Sequence, residues 1–148
     1  MSVIKSAMFV GSQPVDTPAP DRSGDTITQI ITHTFTTALT TADILELYPV
    51  PAECRIVGFE FVTANVGTLD LDIGMMTGEA GSSTAGRTCG DELIAAVDAA
   101  TGGSTGLAAL AALQDGVGDK NASIGLVTAT NIAAGATKTI TFKVTIAG

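Results

Sequence analysis

Two stretches of this chain alternate with a period of two residues, and that period constrains the fold more than any other feature. In "TITQIITHTFTT", starting at Thr26, Ile27, Gln29, Ile31, His33 and Phe35 fall on one side and Thr28, Ile30, Thr32, Thr34 and Thr36 on the other. In "TKTITFKVTIA" (137–147), Ile140, Phe142, Val144 and Ile146 alternate with Thr and Lys. Successive side chains of a strand point to opposite faces, so this pattern describes strands with one apolar face; a helix would scatter the same residues around its axis. The branched side chain of threonine suits a pleated surface, and its abundance favours a mainly β chain.

The same period recurs elsewhere. "DILELYPVP" predicts a short strand at about 43–48, stopped by Pro49 and Pro51. "ECRIVGFEFVTA" predicts one at about 53–63, with Val57, Phe59 and Phe61 on one face. "TLDLDIGMM" places Leu69, Leu71, Ile73 and Met75 inward and Asp70, Asp72 and Gly74 outward. A further strand is expected at 122–130. The period changes after a Gly/Ser loop at 77–86. In "TCGDELIAAVDAA", Thr88 with Asp91 three residues later reads as a capping box, Leu93, Ile94 and Val97 share a helical face, and Gly102-Gly103 ends the run. "STGLAALAALQDG" predicts a second short helix through Leu107, Leu110 and Leu113.

Six or seven strands, joined by connections too short for a parallel sheet, predict an antiparallel β-sandwich with one or two short helices in an insertion. A length of 148 residues with 45% hydrophobic content suits one such core, taken as residues 26–148. Residues 1–25 read differently. Pro14, Pro18 and Pro20 favour an extended path, so this segment is expected to be an N-terminal arm. Its apolar residues Val3, Ile4, Met8, Phe9 and Val10, with Pro14, would then be either disordered or buried against something else, which makes them the candidate partner-binding residues.

Charge excludes several functions. Seven Lys and Arg against fifteen Asp and Glu give a net charge of −8, and the cations are scattered, so phosphate backbones find no basic surface and no nucleic-acid partner is expected. The mean hydropathy is +0.41, yet no apolar run approaches the roughly 18–20 residues of a spanning helix, and "SAMFV" is too short for the core of a signal peptide. The expectation is synthesis in the cytoplasm and no membrane partner. With no Trp and a single Tyr, stacking pockets for sugars or bases are not expected.

Each candidate catalytic motif falls short. Asp70 and Asp72 share a strand face and could reach one cation, but a solvated face that discourages edge pairing explains them as well. "GGSTG" (102–106) matches a nucleophile-elbow pattern around Ser104, yet the segment before it reads as helix, and the only histidine, His33, lies upstream of where that machinery needs it. Ser104 is therefore read as a turn residue or helix cap, and His33 as a partly buried, hydrogen-bonded strand residue. Cys54 and Cys89 form no zinc pattern and read as buried thiols. "DKNASIG" (119–125) begins like a calcium loop, but the twelfth position is Thr130. Neither a catalytic residue, nor a metal, nor a cofactor is expected.

Residues 69–96, "LDLDIGMMTGEAGSSTAGRTCGDELIAA", also resemble a segment of the small decoration (cement) proteins of tailed bacteriophages, through Asp70, Asp72, Gly74, Arg87, Thr88, Gly90 and Glu92. A closing strand of the type "TITFKVTI" is similar to theirs as well. The resemblance covers residues 26–148 in organisation and 69–96 in detail. It implies a jelly-roll-like sandwich, commonly a homotrimer, seated on the outer capsid of a virion where major capsid protein subunits meet. Receptor- or glycan-binding fibre heads and head-to-tail connectors are the alternative roles for the same composition.

Overall fold

The computed structural model describes residues 3–10, 13–14, 25–82, 86–113 and 121–148. Among these, two sheets pack face to face around one core. The first holds β1 (Val3–Lys5), β5 (Ile44–Val50), β10 (Ala122–Thr128), β7 (Asp70–Met76) and β8 (Ile94–Asp98), in that spatial order. The second holds β4 (Thr26–Thr34), β11 (Thr139–Ala147), β6 (Arg55–Ala64) and β9 (Gly103–Ser104). A small pair, β2 (Phe9–Val10) with β3 (Gln13–Pro14), and one helix, α1 (Leu107–Ala112), complete the described elements. All pairings are antiparallel except β1 on β5. The antiparallel-dominated β-sandwich expected from the alternation is thus the observed architecture.

The core lies between the sheets and follows the period of two. Leu45, Leu47, Leu71, Ile73, Ile124 and Leu126 come from one sheet, and Ile56, Phe59, Phe61, Ile140, Phe142, Val144 and Ile146 from the other. The rings of Phe59 and Phe142 stack at 5.9 Å between centroids. One residue departs from the expected face. A register shift between Thr145 and Ile146, opposite β6, turns Ile56 inward and leaves Val57 half-buried. Such a bulge inserts one residue and reverses the alternation on its far side.

Three expectations need correction. β5 runs through Pro49 to Val50 instead of stopping before the proline. β1 covers β5 only from Ile44 to Glu46, so among the described residues Pro49 lies where β5 has no strand partner on that side, and its missing N–H costs no ladder bond there.

The capped helix expected from Thr88 is absent. That segment crosses the end of β7 and becomes β8. The N–H of Gly90 donates to Met75 O, that of Leu93 to Ile73 O, and that of Ala96 to the Asp72 carboxylate at 2.7 Å. Ala96 sits at φ 50°, a left-handed conformation that no helix interior holds. Backbone pairing with β7 overrides the local helical pattern. Only the second helix forms, as α1, where Leu110 and Leu113 pack on the core.

Ser104 is neither turn nor cap. It lies in β9 opposite Glu60, and the residue that starts α1 is Gly106.

Candidate interaction surfaces

The expected partner-binding residues are divided by the fold. β1 carries Val3 and Ile4 into the five-stranded sheet, and Ser6 locks the segment by donating its N–H to Glu46 O and its hydroxyl to Leu47 O. Ile4 and Met8 then pack on the core, and Phe9 is 8% exposed. Val10 and Pro14 belong to the β2–β3 pair. Residues 1–2, 11–12 and 15–24 of the segment lie outside the described residues.

Beside this segment lies a feature that the alternation did not point to. Glu46, fully buried in β5, meets the Arg87 guanidinium at 2.9 Å. Its carboxylate also accepts from Gly81 N–H at 3.0 Å and from the Ser123 hydroxyl. Arg87 in turn donates to Thr77 O and Ser82 O. One buried charge pair therefore fastens the Gly/Ser loop, β5 and β10 together. By charge Arg87 was one scattered cation among seven, and the resemblance named it without a partner; a polar residue at Glu46, inside an otherwise apolar run, was the available signal.

The acidic residues of the stretch 69–96 divide between solvent and backbone. Asp70 is exposed, Asp72 holds Ala96 N–H, and the Glu92 carboxylate accepts from Met75 N–H at 3.0 Å. Among the described residues no group of three or more His, Cys, Asp or Glu is placed to hold a metal. Cys89, lodged between Asp72 and Asp91, has its thiol pushed up to about 12, first by burial and then by the surrounding carboxylates, against one lowering hydrogen bond to Gly74. A thiol held protonated is a poor nucleophile. His33 is half-buried with its ring edge-on to Phe35 at 5.2 Å, and burial lowers its pKa. Asn121, in the stretch read against a calcium loop, instead accepts from Ala52 N–H; residues 119–120 are outside the described set.

The outer face of the four-stranded sheet is the remaining surface with character. Threonines bridge its strands, Thr28 to Thr145 and Thr32 to Thr141, each at 2.9 Å. Lys143 and Glu60 pair at 3.4 Å in the open. Around them Ile30 is 69% and Val62 59% exposed. An open groove of about 580 Å³ runs from Ile30 across Thr141 and Lys143 to Val62, Thr101, Gly102 and β9. Its chemistry is a flat, nearly neutral mixture of methyl and hydroxyl groups, which fits contact with another surface.

No family model matches the chain, and no curated protein matches it. Solved structures do. A chain in the capsid of Ralstonia phage GP4 superposes with a TM-score of 0.80 at 26% identity, covering 98% of this chain and 97% of that one. A chain of the cyanophage Pam1 capsid asymmetric unit matches at 0.52 and 20% identity, over 95% and 97% of the two chains. One from the acid-stable capsid of the Helicobacter pylori bacteriophage KHP30 matches at 0.51 and 9%, over 86% and 90%. The latter two share the fold; the first adds sequence likeness along nearly the whole length. The chain is a capsid-like structural protein of the bacteriophage type.

Proposed function

We propose that this protein is a decoration, or cement, protein: it binds the outer surface of an assembled capsid where major capsid protein subunits meet, and it stabilises the shell. The observation that carries the reading is the match to a capsid chain over essentially the full length of both partners. That chain is thus as small as this one. A small sandwich with its own closed core suits an added clamp that seats on a shell others have built. The net charge of −8 suits the outside of the shell, away from packaged DNA.

The clamp works by linkage. A protein that binds the assembled lattice and not its free subunits stabilises the lattice by the free energy of that binding. A homo-oligomer, with a trimer as the copy number at a capsid junction, multiplies weak contacts through avidity. The segment containing Val3, Ile4, Met8, Phe9, Val10 and Pro14 contributes as an arm docked on its own sheet, presenting its outer surface to the capsid. The test is co-sedimentation with expanded capsids that lack this protein, alongside light scattering of the free protein. Saturable binding by a free trimer is expected. A folded protein that stays in the supernatant at every concentration sinks the proposal.

A further inference from the structure

Among the described residues, three of the sandwich's four sheet edges are blunted. β1 is three residues long and β9 two. β8 is broken by a register shift and by Ala96 at φ 50°. Short, bulged or twisted edges are how sheet proteins avoid pairing with other chains. The fourth edge, β4, has none of these devices. It is nine residues of regular strand without a charge, a proline or a bulge, and among the described residues nothing pairs with its outer side.

The direction of its backbone groups follows from both ends. The N–H of Phe35 donates to Lys138 O at 2.9 Å, and the O of Asp25 accepts from Gly148 N–H. Odd-numbered residues of β4 therefore exchange bonds with β11, and even-numbered ones direct N–H and C=O away from the sheet. The Thr34 carbonyl is taken by Thr36 N–H, which leaves Thr28, Ile30 and Thr32 as the open ladder.

Those even positions read Thr26, Thr28, Ile30, Thr32, Thr34, the same in both directions, with the highly exposed Ile30 at the centre. We infer that β4 is a self-complementary edge, and that two copies of this chain join by antiparallel β4–β4 pairing about a two-fold axis through Ile30. In that register Thr28 faces Thr32 of the second copy, and Ile30 meets Ile30 of the second copy. Residues so paired bring their Cβ atoms to about 5.5 Å, close enough for methyl contact at the centre and hydroxyl contact on either side. The threonine bridges already joining β4 to β11 then continue across the axis.

The palindrome selects a second copy as the occupant, and charge does not oppose it at this edge. Two molecules of net charge −8 repel, and the chargeless edge, beside a face whose Lys143 and Glu60 neutralise each other, is a surface on which they can meet without opposing carboxylates. A two-fold contact uses the same patch on both partners, which a palindromic strand supplies. The inference rests on this edge alone and does not depend on the capsid reading. If a three-fold contact also exists, β4 pairing links trimers to one another.

The test uses the full chain, wild type and Ile30→Lys and Ile30→Glu, in sedimentation equilibrium over a wide concentration range. Ile30 is largely exposed, so both variants are expected to keep the wild-type circular dichroism. The wild type should self-associate. Each variant alone should associate at least tenfold more weakly, since like charges meet on the axis. An equimolar mixture of the two should recover association, because Lys then faces Glu. A contact with any other surface would not be rescued by mixing. The inference is overturned by a wild type that stays monomeric at the highest concentration, by single variants that associate as the wild type does, or by a mixture that gains nothing.

Discussion

Arg87 and Glu46 show how much a single pair can hold. Both are buried, and among the described residues the carboxylate has three partners: the guanidinium, the Gly81 amide and the Ser123 hydroxyl. Removing one member leaves the other charge without its counter-ion in a low-dielectric site, which typically costs about 3–5 kcal/mol. Against a total stability of about 5–15 kcal/mol that is a large share. Arg87→Met is therefore expected to lower the urea midpoint strongly, with a linear denaturant slope showing whether unfolding stays two-state. A midpoint within error of the wild type would mean that water replaces the guanidinium.

Tyr48 makes a pH prediction on the same scale. It is fully buried, its hydroxyl donates to the Gln29 side chain, and burial first, then the charge of Cys54, pushes its pKa up to about 12. In the unfolded chain the ordinary value is near 10. Between these values the unfolded state releases a proton that the folded state keeps, so stability should be intact below about pH 10 and fall as pH rises towards 12. Because Tyr48 is the sole tyrosine and Trp is absent, phenolate absorbance reports this residue alone. Phenolate formation should track loss of the fold; a folded protein ionising at the ordinary pKa would contradict the burial.

At the scale of elements, a pair of glycines decides how the chain crosses the five-stranded sheet. Gly74 of β7 and Gly125 of β10 face one another in register. A Cβ on Gly74 would fall on the Gly90 backbone and the Glu92 carboxylate, and one on Gly125 would lie 2.9 Å from Cys89 Sγ and against the Met76 side chain. The bare patch lets residues 89–92 lie flat on the strands and bond to Met75. Gly125→Ala should thus cost about 1–3 kcal/mol, as overpacking does. Cys89 offers a second readout: its alkylation at neutral pH should be slow in the wild type and faster in the variant. Unchanged stability with unchanged alkylation would show that the crossing segment yields freely.

These elements also show what could be read from sequence. β4, β7 and β11 were legible because one face is more buried than the other, fully in β11, half-buried against exposed in β4, and as far as Ile73 in β7, so period two survives in the residues. β8 was not: "DELIAAVDAA" carries helix-forming residues at helical spacing, and its strand state comes from bonds to Asp72, Ile73 and Met75, 15 to 24 residues earlier in the chain. The inward turn of Ile56 depended on a bulge that no local pattern announces. Of the candidate surfaces, the apolar arm residues stood out as apolar residues on a proline-rich segment, yet the pairing of β1 with β5 is a tertiary fact. Ile30 and Val62 were written into the alternation as apolar residues on polar faces.

Across the whole molecule, residues 3–10 join what composition separates. β1 covers β5 from Ile44 to Glu46, Ser6 bonds to both Glu46 and Leu47, and Phe9 is buried. Deleting residues 1–10 would strip β5 of its β1 neighbour while leaving it paired with β10, expose the edge of the strand that carries Glu46, and release apolar side chains from the core. Burying a large apolar side chain contributes about 1.5–3 kcal/mol, so loss of Phe9 with partial loss of Ile4 and Met8 should lower stability by several such increments at most, offset by the entropy of freeing the segment. The truncated protein is expected to fold with a lower melting temperature and to bind capsids more weakly. The two effects are separable by measuring binding well below the melting temperature of the truncated form. Weakened binding there assigns the arm a contact with the shell. Binding at wild-type affinity by a folded but less stable truncation would confine the arm to its own sandwich and move the capsid contact to the other faces.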